Sequence, residues 1–329
     1  MSDTIENKNK FTNLDLKEMQ NWDLDRKIAT SLARISEFNA HFPHKTYISF
    51  SGGKDSTVLL HLVRRLYPDT PAVFIDTGLE YPEIRDFVRG IDNVTWLKPR
   101  MNFRKVIETY GYPVVSKEVS HVIHDARTAI INGRQDSSYA CQMLDGIYIN
   151  KNNGKLSPYN KPKWKFLLDA PFKISHSCCD VMKKQTVHSY EKEAKRHPII
   201  GTMASESRLR RSQWIINGCN AFNAKNPHSN PISFWTEQDV FEYLIKFNIP
   251  YCKIYGEILQ DKNGKYYTTG LNRTGCMYCP FGAQLEKEPN RFQRLKVTHP
   301  KVWEFCMKPW DKGGLGMKEV LEYIGVKTE

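Results

Sequence analysis

Hydrophobic residues return along this chain in two alternating rhythms. Leu24, Ile28, Leu32, Ile35 and Phe38 recur every three or four positions, the spacing of one helix face, and predict a helix from Trp22 to about Phe42. The short β-branched and aromatic run Thr46 to Phe50 reads as a strand. Val58, Leu59, Leu62, Val63 and Leu66 then mark an amphipathic helix, opened by Ser56 and Thr57 and stopped by "YPDTP". The succession repeats: strand "AVFI", helix in "YPEIRDFVRG", strand "VTWL", helix in "NFRKVIETYG". It resumes downstream with the helical "DVMKKQTVHSYEKEAKRH", the strand "PIIGT" and the helix "TEQDVFEYLIKFN". Strands alternating with helices at this spacing predict an α/β fold with a doubly wound, mainly parallel sheet.

This pattern divides the chain into a helical lead-in over 1–45, an α/β domain over 46–250 and a cysteine-bearing C-terminal region over 251–329. The opening "MSDTIENKNKFTNLDLKE" is polar and is expected to fray. Near 131–173 the periodicity lapses into "INGRQDSSYA" and "NKNNGKLSPYNKPKWKF", an insertion rich in Asn, Lys, Gly and Pro. Its basic, aromatic texture suits either nucleic-acid contact or an exposed loop with a few packed rings. No internal repeat is visible.

Composition narrows the class. With 329 residues and 40% hydrophobic positions the chain can bury a core without cross-links. Its formal charge of +12 favours polyanionic partners, either phosphorylated metabolites or DNA or RNA. Eight cysteines, with no secretion signal and no long apolar run, predict a reducing, cytoplasmic setting and no membrane partner. There cysteines serve as metal ligands, nucleophiles or small buried hydrophobes.

The candidate chemistry begins at the turn after the first strand, "SFSGGKDS", Ser49 to Ser56. It is too tight for a Walker-type loop, which needs four residues between its first glycine and its Gly-Lys pair. Ser51, Gly52 and Gly53 clear side-chain bulk where backbone amides approach an anion. Lys54 adds a point charge, Asp55 an acid, and a helix N-terminus faces the same place. The plain alternative is a strand-to-helix turn that needs glycines for positive φ. In a doubly wound sheet ligands lie beyond the carboxyl ends of the strands. Asp76, Thr77, Gly78 and Glu80 in "FIDTGLEYPE" occupy that level, as contacts to a nucleotide or Mg²⁺ or, for Asp76 and Thr77, as caps of the next helix.

Two further clusters stand out. "GTMASESRLRRSQW" sets Gly201, Glu206, Ser207, Arg208, Arg210 and Arg211 after a short strand. Guanidinium groups so close share an anion or lie apart in solvent. Arg208 and Arg211 are the candidates for phosphoryl charge, and Arg210 is the one expected to be surface only. "SHSCCDVMKKQ" and "TGCMYCPFG" supply Cys178, Cys179, Cys276 and Cys279. Cys-x-x-Cys is a two-thiolate clamp. Adjacent cysteines chelate a single tetrahedral ion awkwardly, whereas a four-iron cluster offers each thiolate its own iron. An iron–sulfur cluster, structural Zn²⁺ and no metal all stay open. Cys252 and Cys306 read as buried small hydrophobes. Cys219 is a further candidate, either to carry a persulfide or to be buried.

In combination these motifs resemble the phosphoadenosine phosphosulfate (PAPS) reductase family of the adenine nucleotide alpha-hydrolase-like, or PP-loop ATP pyrophosphatase, superfamily. "SFSGGKDS" resembles its pyrophosphate loop, "DTG" its second-strand end, Gly201 to Arg211 its Gly-x-x-x-x-Glu-Ser-x-x-Arg segment, and "PISFWTEQDV" its Pro-x-x-x-Trp-x-x-x-Asp-Val segment. The cysteine set resembles the [4Fe-4S] ligands of adenosine phosphosulfate reductases and DNA sulfur-modification enzymes. The resemblance implies an enzyme that binds ATP through Ser49, Ser51 to Ser56 and the Asp76 and Gly201 segments, and cleaves it to adenylate and pyrophosphate. Lys54, Asp55, Arg208 and Arg211 would be catalytic, with Mg²⁺ assisting. Sulfur transfer would follow, with a nucleic acid as acceptor and a cysteine desulfurase or other donor as partner. The ending "DKGGLGMKEVLEYIGVKTE" departs from the family's Glu-Cys-Gly tail, which weighs against PAPS or adenosine phosphosulfate reduction. That activity, sulfate adenylylation and a catalytically silent nucleotide-binding coregulator are the alternatives.

Overall fold

The computed structural model describes residues 9–329. In chain order its first elements are helices α1 (Asn13–Gln20) and α2 (Leu24–His41), strand β1 (Thr46–Ser49), helix α3 (Lys54–Leu66), strand β2 (Ala72–Ile75), helix α4 (Pro82–Arg89) and strand β3 (Val94–Leu97). Helices α5 (Phe103–Tyr110), α6 (Lys117–Ile131), α7 (Tyr139–Asp145) and α8 (Gln185–Ala194) precede strand β4 (His197–Ile200) and helix α9 (Arg208–Asn217). Then come strands β5 (Asn220–Ala221) and β6 (His228–Ser229), helix α10 (Glu237–Lys246) and the hairpin β7 (Ile258–Gln260) and β8 (Tyr266–Thr268). Helices α11 (Arg291–Thr298), α12 (Pro300–Met307) and α13 (Met317–Tyr323) close the chain.

The expected α/β architecture is present. The main sheet has the order β3-β2-β1-β4-β6-β5, parallel except for the β5–β6 pair. Beyond the expected strands lie the very short β5 and β6 and the β7–β8 hairpin; two- and three-residue strands carry too little periodicity to be read from sequence. Helix α3 starts at Lys54, two residues before the expected Ser56.

The expectation of a frayed opening is corrected for residues 13–20. Thr12 and Asp15 form a reciprocal capping box, Leu16 is buried, and the Phe11 ring packs on Trp214 at 4.8 Å, which together hold α1. Residues 1–8 of that stretch lie outside the described residues.

The chain forms two compact units. The first comprises the chain up to Asp76 with Glu80–Lys98 and Val187–Thr274; the second comprises Thr77–Leu79, Pro99–Thr186 and Gly275–Glu329. This differs from a cut after residue 250. Gln238 on α10 donates to the Tyr266 carbonyl (2.9 Å) and accepts from its amide (2.7 Å), so the hairpin belongs with the sheet. The insertion near 131–173 falls in the second unit, where it forms α7 and a 3₁₀ turn over Pro162–Asp169. There the Arg127 guanidinium donates to the carbonyls of Leu167, Leu168, Ala170 and Phe172. Arg104 likewise ties α5 to the Trp310 and Gly314 carbonyls.

The core of the first unit gathers Ile48, Phe50, Val58, Leu62, Phe74, Ile199 and Trp235 around the sheet. A buried ion pair crosses it. Lys27 Nζ donates to both carboxylate oxygens of Asp239 at 2.7 Å and to the Gln20 carbonyl at 2.8 Å, while Asp239 also caps α10. No helix among the described residues is long and apolar enough to cross a membrane.

Lys27 is 2% exposed, so removing its charge strands a buried carboxylate. Lys27→Met should therefore destabilise the protein by about 3–5 kcal/mol in urea unfolding, and Lys27→Met/Asp239→Leu should recover part of that loss.

Candidate functional site

The strand order places a switch point between β1 and β4, because the chain winds from β1 to β2 on one side and returns at β4 on the other. Ser49 is in register with Ile200, so the turns that follow them emerge side by side. A Cβ added at Gly201 would lie 3.2 Å from the Asp55 carbonyl oxygen, and that close approach is why the strand ends in glycine.

The turn itself is organised by small residues. Gly52 has φ +71, and a Cβ there would meet Val88 at 2.8 Å and Ile84 at 2.9 Å. The Ser51 amide donates to Ser56 Oγ at 3.2 Å, and the Gly53 amide donates to Ser51 Oγ at 3.3 Å. Ser56 and Thr57 hydroxyls both donate to the Gly53 carbonyl at 2.9 Å. Gly53 is the N-cap of α3 and offers no side-chain cap. By contrast α2, α5, α6, α9 and α10 are all capped by Asp, Asn, Ser or Thr side chains. Helices α4, α12 and α13 also lack such a cap; at α3 the Lys54 amide meets the Tyr255 hydroxyl, and the helix dipole faces the turn.

Charged groups crowd this end of the sheet. Lys54 is 4% exposed; its ammonium pairs with Glu237 at 2.8 Å, donates to the Asn272 carbonyl at 2.5 Å, and lies over the Phe241 and Tyr255 rings. Asp55 Oδ1 is shut off from solvent and accepts no hydrogen bond among the described residues. Burial pushes the Asp55 carboxyl above the ordinary range, against the pull of Lys54, Arg273 and Arg210 and with the push of Glu237. Tyr255 hydroxyl shares a 2.6 Å hydrogen bond with Thr274 and stands over Gly53.

The arginine block folds differently from its sequence reading. Arg210, expected to be surface only, is half-buried, pairs with Glu206 and sits in the field of Asp55 and Arg273; burial lowers its pKa. Arg208 and Arg211 are exposed. The reason is helical phase, since α9 begins at Arg208, buries Trp214 and packs Ile215 on the core, and sets Arg210, Gln213 and Asn217 along one cavity. Ser207 caps α9, and Glu206 accepts from the Met203 amide at 2.7 Å.

Asp76 ends β2, buried, and pairs with Arg85 at 2.8 Å. The N-cap position of α4 is Tyr81. The Thr77 hydroxyl accepts from the Leu79 amide at 3.2 Å, and Gly78 has φ +75. Glu80 returns to the first unit, while Thr77, Gly78 and Leu79 belong to the second. Arg273, Glu237, Asn272, Tyr255 and Thr274 had no signal in sequence, because they reach the loop from more than 180 residues away.

In the second unit Cys178, Cys179, Cys276 and Cys279 line one cavity of about 30 Å³, closed by the apolar Leu79, Phe103, Pro113 and Met182. The Cys178 and Cys179 sulfurs are 3.9 Å apart, and the Cys279 amide donates to the Cys276 carbonyl at 3.1 Å, closing the Cys-x-x-Cys turn. Cys178 donates to Cys179, which with Lys183 and Lys117 draws the Cys179 thiol down to about 6 and pushes Cys178 up. A single π turn over Asp180–Lys184 follows the pair. Among the described residues no three His, Cys, Asp or Glu side chains converge to hold one ion. The four thiols share a cavity without surrounding a point, and all four are half-buried, so rotation about χ1 can open them to a larger group. Cys219 is buried, accepts from Ser233 at 3.5 Å, and burial raises its thiol pKa. Cys252 and Cys306 are buried as expected.

A model described as phosphoadenosine phosphosulfate reductase domain matches residues 45–114 and 149–281. The uncharacterized protein MJ0066 of Methanocaldococcus jannaschii is 25% identical over 262 residues, covering 78% of this chain and 39% of that protein. A phosphoadenosine 5'-phosphosulfate reductase of Buchnera aphidicola is 42% identical over 76 residues, 23% of this chain and 31% of the enzyme. The chain thus spans less than half the length of either curated relative. The PAPS reductase of Candida auris, solved as a phosphate complex, aligns over 78% of this chain and 98% of its own at 12% identity and a TM-score of 0.39. The family model covers most of the chain and includes both the glycine loop and the four cysteines, so the chain belongs to the phosphoadenosine phosphosulfate reductase domain family.

Proposed function

We propose that this chain binds ATP at the Ser51–Ser56 loop, cleaves it between the α- and β-phosphates, and uses the adenylate to drive sulfur transfer. One observation carries the reading: the N-terminus of α3, with no side-chain cap from its own N-cap residue, abuts Gly201 at the switch point, beside a buried carboxylate oxygen that accepts no hydrogen bond among the described residues. Amides and a helix dipole at such an end suit pyrophosphate. An orphaned carboxylate oxygen suits a hard cation, so Asp55, with Asp76, would hold Mg²⁺, which neutralises phosphate charge.

An acceptor oxygen attacks the α-phosphorus, the bond to the β-phosphate oxygen breaks, and pyrophosphate leaves with its electron pair. A sulfur nucleophile then displaces AMP from the adenylated carbon. Loop amides, Ser51 and Ser56 hold the departing pyrophosphate. Lys54 joins them by exchanging Glu237 for phosphate, a trade of one anion for another that needs no new burial of charge. Arg210 and Arg273 take the guanidinium role that the sequence assigned to Arg208 and Arg211.

The thiols of Cys178, Cys179, Cys276 and Cys279 fit a [4Fe-4S] cluster by donor type and by their spread around one cavity. When bound, the cluster would bind or relay sulfur delivered by a cysteine desulfurase or another donor. Cys179, with its thiol drawn down to about 6, is the thiolate most available at neutral pH. A second reading, reduction of PAPS or adenosine phosphosulfate, is favoured by the names of the curated relatives. Release of sulfite from either sulfonucleotide, without ATP cleavage, would select it.

The test is ATP–pyrophosphate exchange on protein purified without oxygen, with mixed DNA or RNA supplied as the acceptor. Wild type should exchange, and Lys54→Ala should lose about 10²–10³-fold. Exchange that survives Lys54→Ala and Gly53→Val would sink the loop assignment, and tight ATP binding with no exchange would indicate a silent nucleotide-binding protein.

The Asp55 carboxyl has a second consequence. Because its folded pKa is raised above 3.8, the native state binds more protons than the unfolded chain once pH exceeds that value, so native stability falls as pH climbs through the folded pKa. Asp55→Asn removes the penalty. In nucleotide-free thermal melts the variant should be more stable than wild type at pH 7 and indistinguishable below about pH 4, while losing exchange activity.

A further inference from the structure

The first unit contains a second cavity of about 550 Å³, which none of Ser51 to Ser56 lines. That volume lies in the range of small-molecule sites. It sits on the face of β1, β4 and β6 that α8 and α9 cover, with Ser49, Ile200 and Arg210 at the end nearest the switch point. Its apolar lining comprises Val187, Pro198, Met203 and Trp214, the last buried and packed on the Phe11 ring. The polar lining is mostly uncharged: Asn217 donates to Gln213 at 3.2 Å, Asn230 accepts from Thr202 at 2.9 Å and Ser233 donates to Cys219, which leaves the Gln213 amide nitrogen, the Asn217 oxygen, the Asn230 nitrogen and the Asn226 amide to face a ligand.

The one carboxylate within it is already satisfied. Glu191 accepts from the Tyr47 hydroxyl at 2.8 Å and pairs with His188 Nδ1 at 2.9 Å. The Arg210 guanidinium is engaged by Glu206. The cavity is therefore suited to a neutral, planar ligand with alternating donors and acceptors, and not to a phosphate. Cations gather outside instead. Lys225 is exposed at the mouth, and Arg208 and Arg211 are exposed on the outward side of the same α9 whose inward residues line the wall.

From this division we propose that the cavity receives one unstacked base of a single-stranded polynucleotide, whose phosphates lie on Arg208, Arg211 and Lys225. Amide side chains read base edges, an aromatic and aliphatic wall takes the base face, and basic groups on the rim hold the backbone. The inference deepens the proposed function, resting on it for the chemistry and adding the acceptor class and its place.

The test uses the full chain and fluorescein-labelled single-stranded 12-mers of mixed sequence, RNA and DNA, followed by anisotropy at several salt concentrations. Wild type should bind, and Gln213→Leu/Asn217→Leu should weaken binding at least about tenfold while ATP affinity stays at the wild-type value. Arg208→Ala/Arg211→Ala should weaken binding and lower the salt slope by about 1.4, near 0.7 for each lost phosphate contact. Whether RNA or DNA is bound more tightly identifies the acceptor. The proposal is overturned if neither oligonucleotide binds, if the cavity variant binds both as wild type does, or if only free nucleosides respond to that variant. Because exchange is scored separately, loss of exchange with oligonucleotide binding intact would reject the adenylation reading and leave the base cavity standing.

Discussion

The meeting of two strand ends governs this protein's chemistry. β1 and β4 run parallel in register from Thr46 opposite His197 to Ser49 opposite Ile200, so the turn after each must share one small volume. Only glycine allows it: Gly201 has the Asp55 carbonyl 3.2 Å from where its Cβ would be, and Gly52 combines φ +71 with side chains closer than 3.0 Å. A larger residue at either place would push the start of α3 away from β4, and its first amides would lose their orientation.

Around that contact the charges are arranged for use more than for stability. Lys54 is held between a carboxylate, a carbonyl and two aromatic rings, so its ammonium is desolvated yet never unpaired. Asp55 has the opposite status, with one oxygen enclosed and without a donor. A buried carboxylate left in that state costs folding energy, and such costs are tolerated where a ligand or ion later offsets them. Elsewhere in the same unit the Lys27–Asp239 pair is fully satisfied, which marks it as structural.

Helix phase then separates roles within one short segment. The arginine run is continuous in sequence, but α9 turns Arg210 toward the loop and leaves Arg208 and Arg211 in solvent. Cations with different burial thus stand a few residues apart on one helix. In the second unit the Cys178–Cys179 pair and the Cys-x-x-Cys turn, nearly a hundred residues apart, line one apolar pocket. The apolar wall raises the Cys178 and Cys279 thiols, and only Cys179, held by the Cys178 hydrogen bond and nearby lysines, is drawn down.

Much of this was legible in the chain. The alternation of β-branched runs with helical periodicities determined the parallel α/β sheet, because side-chain burial on two faces imposes those periods directly. Spacing in "SGGKDS" determined a tight strand-to-helix turn, since backbone conformation there depends on the residues themselves. Other features came only from the tertiary structure. The capping box that holds α1 went unread in a polar stretch, Arg210 was exchanged for Arg208 and Arg211, and Glu237, Asn272, Arg273 and Tyr255 arrived at the loop from the far end of the unit. Local sequence sets φ, ψ and period, but which distant charge neutralises a lysine, and which carboxylate is left without a partner, depends on how separate segments pack.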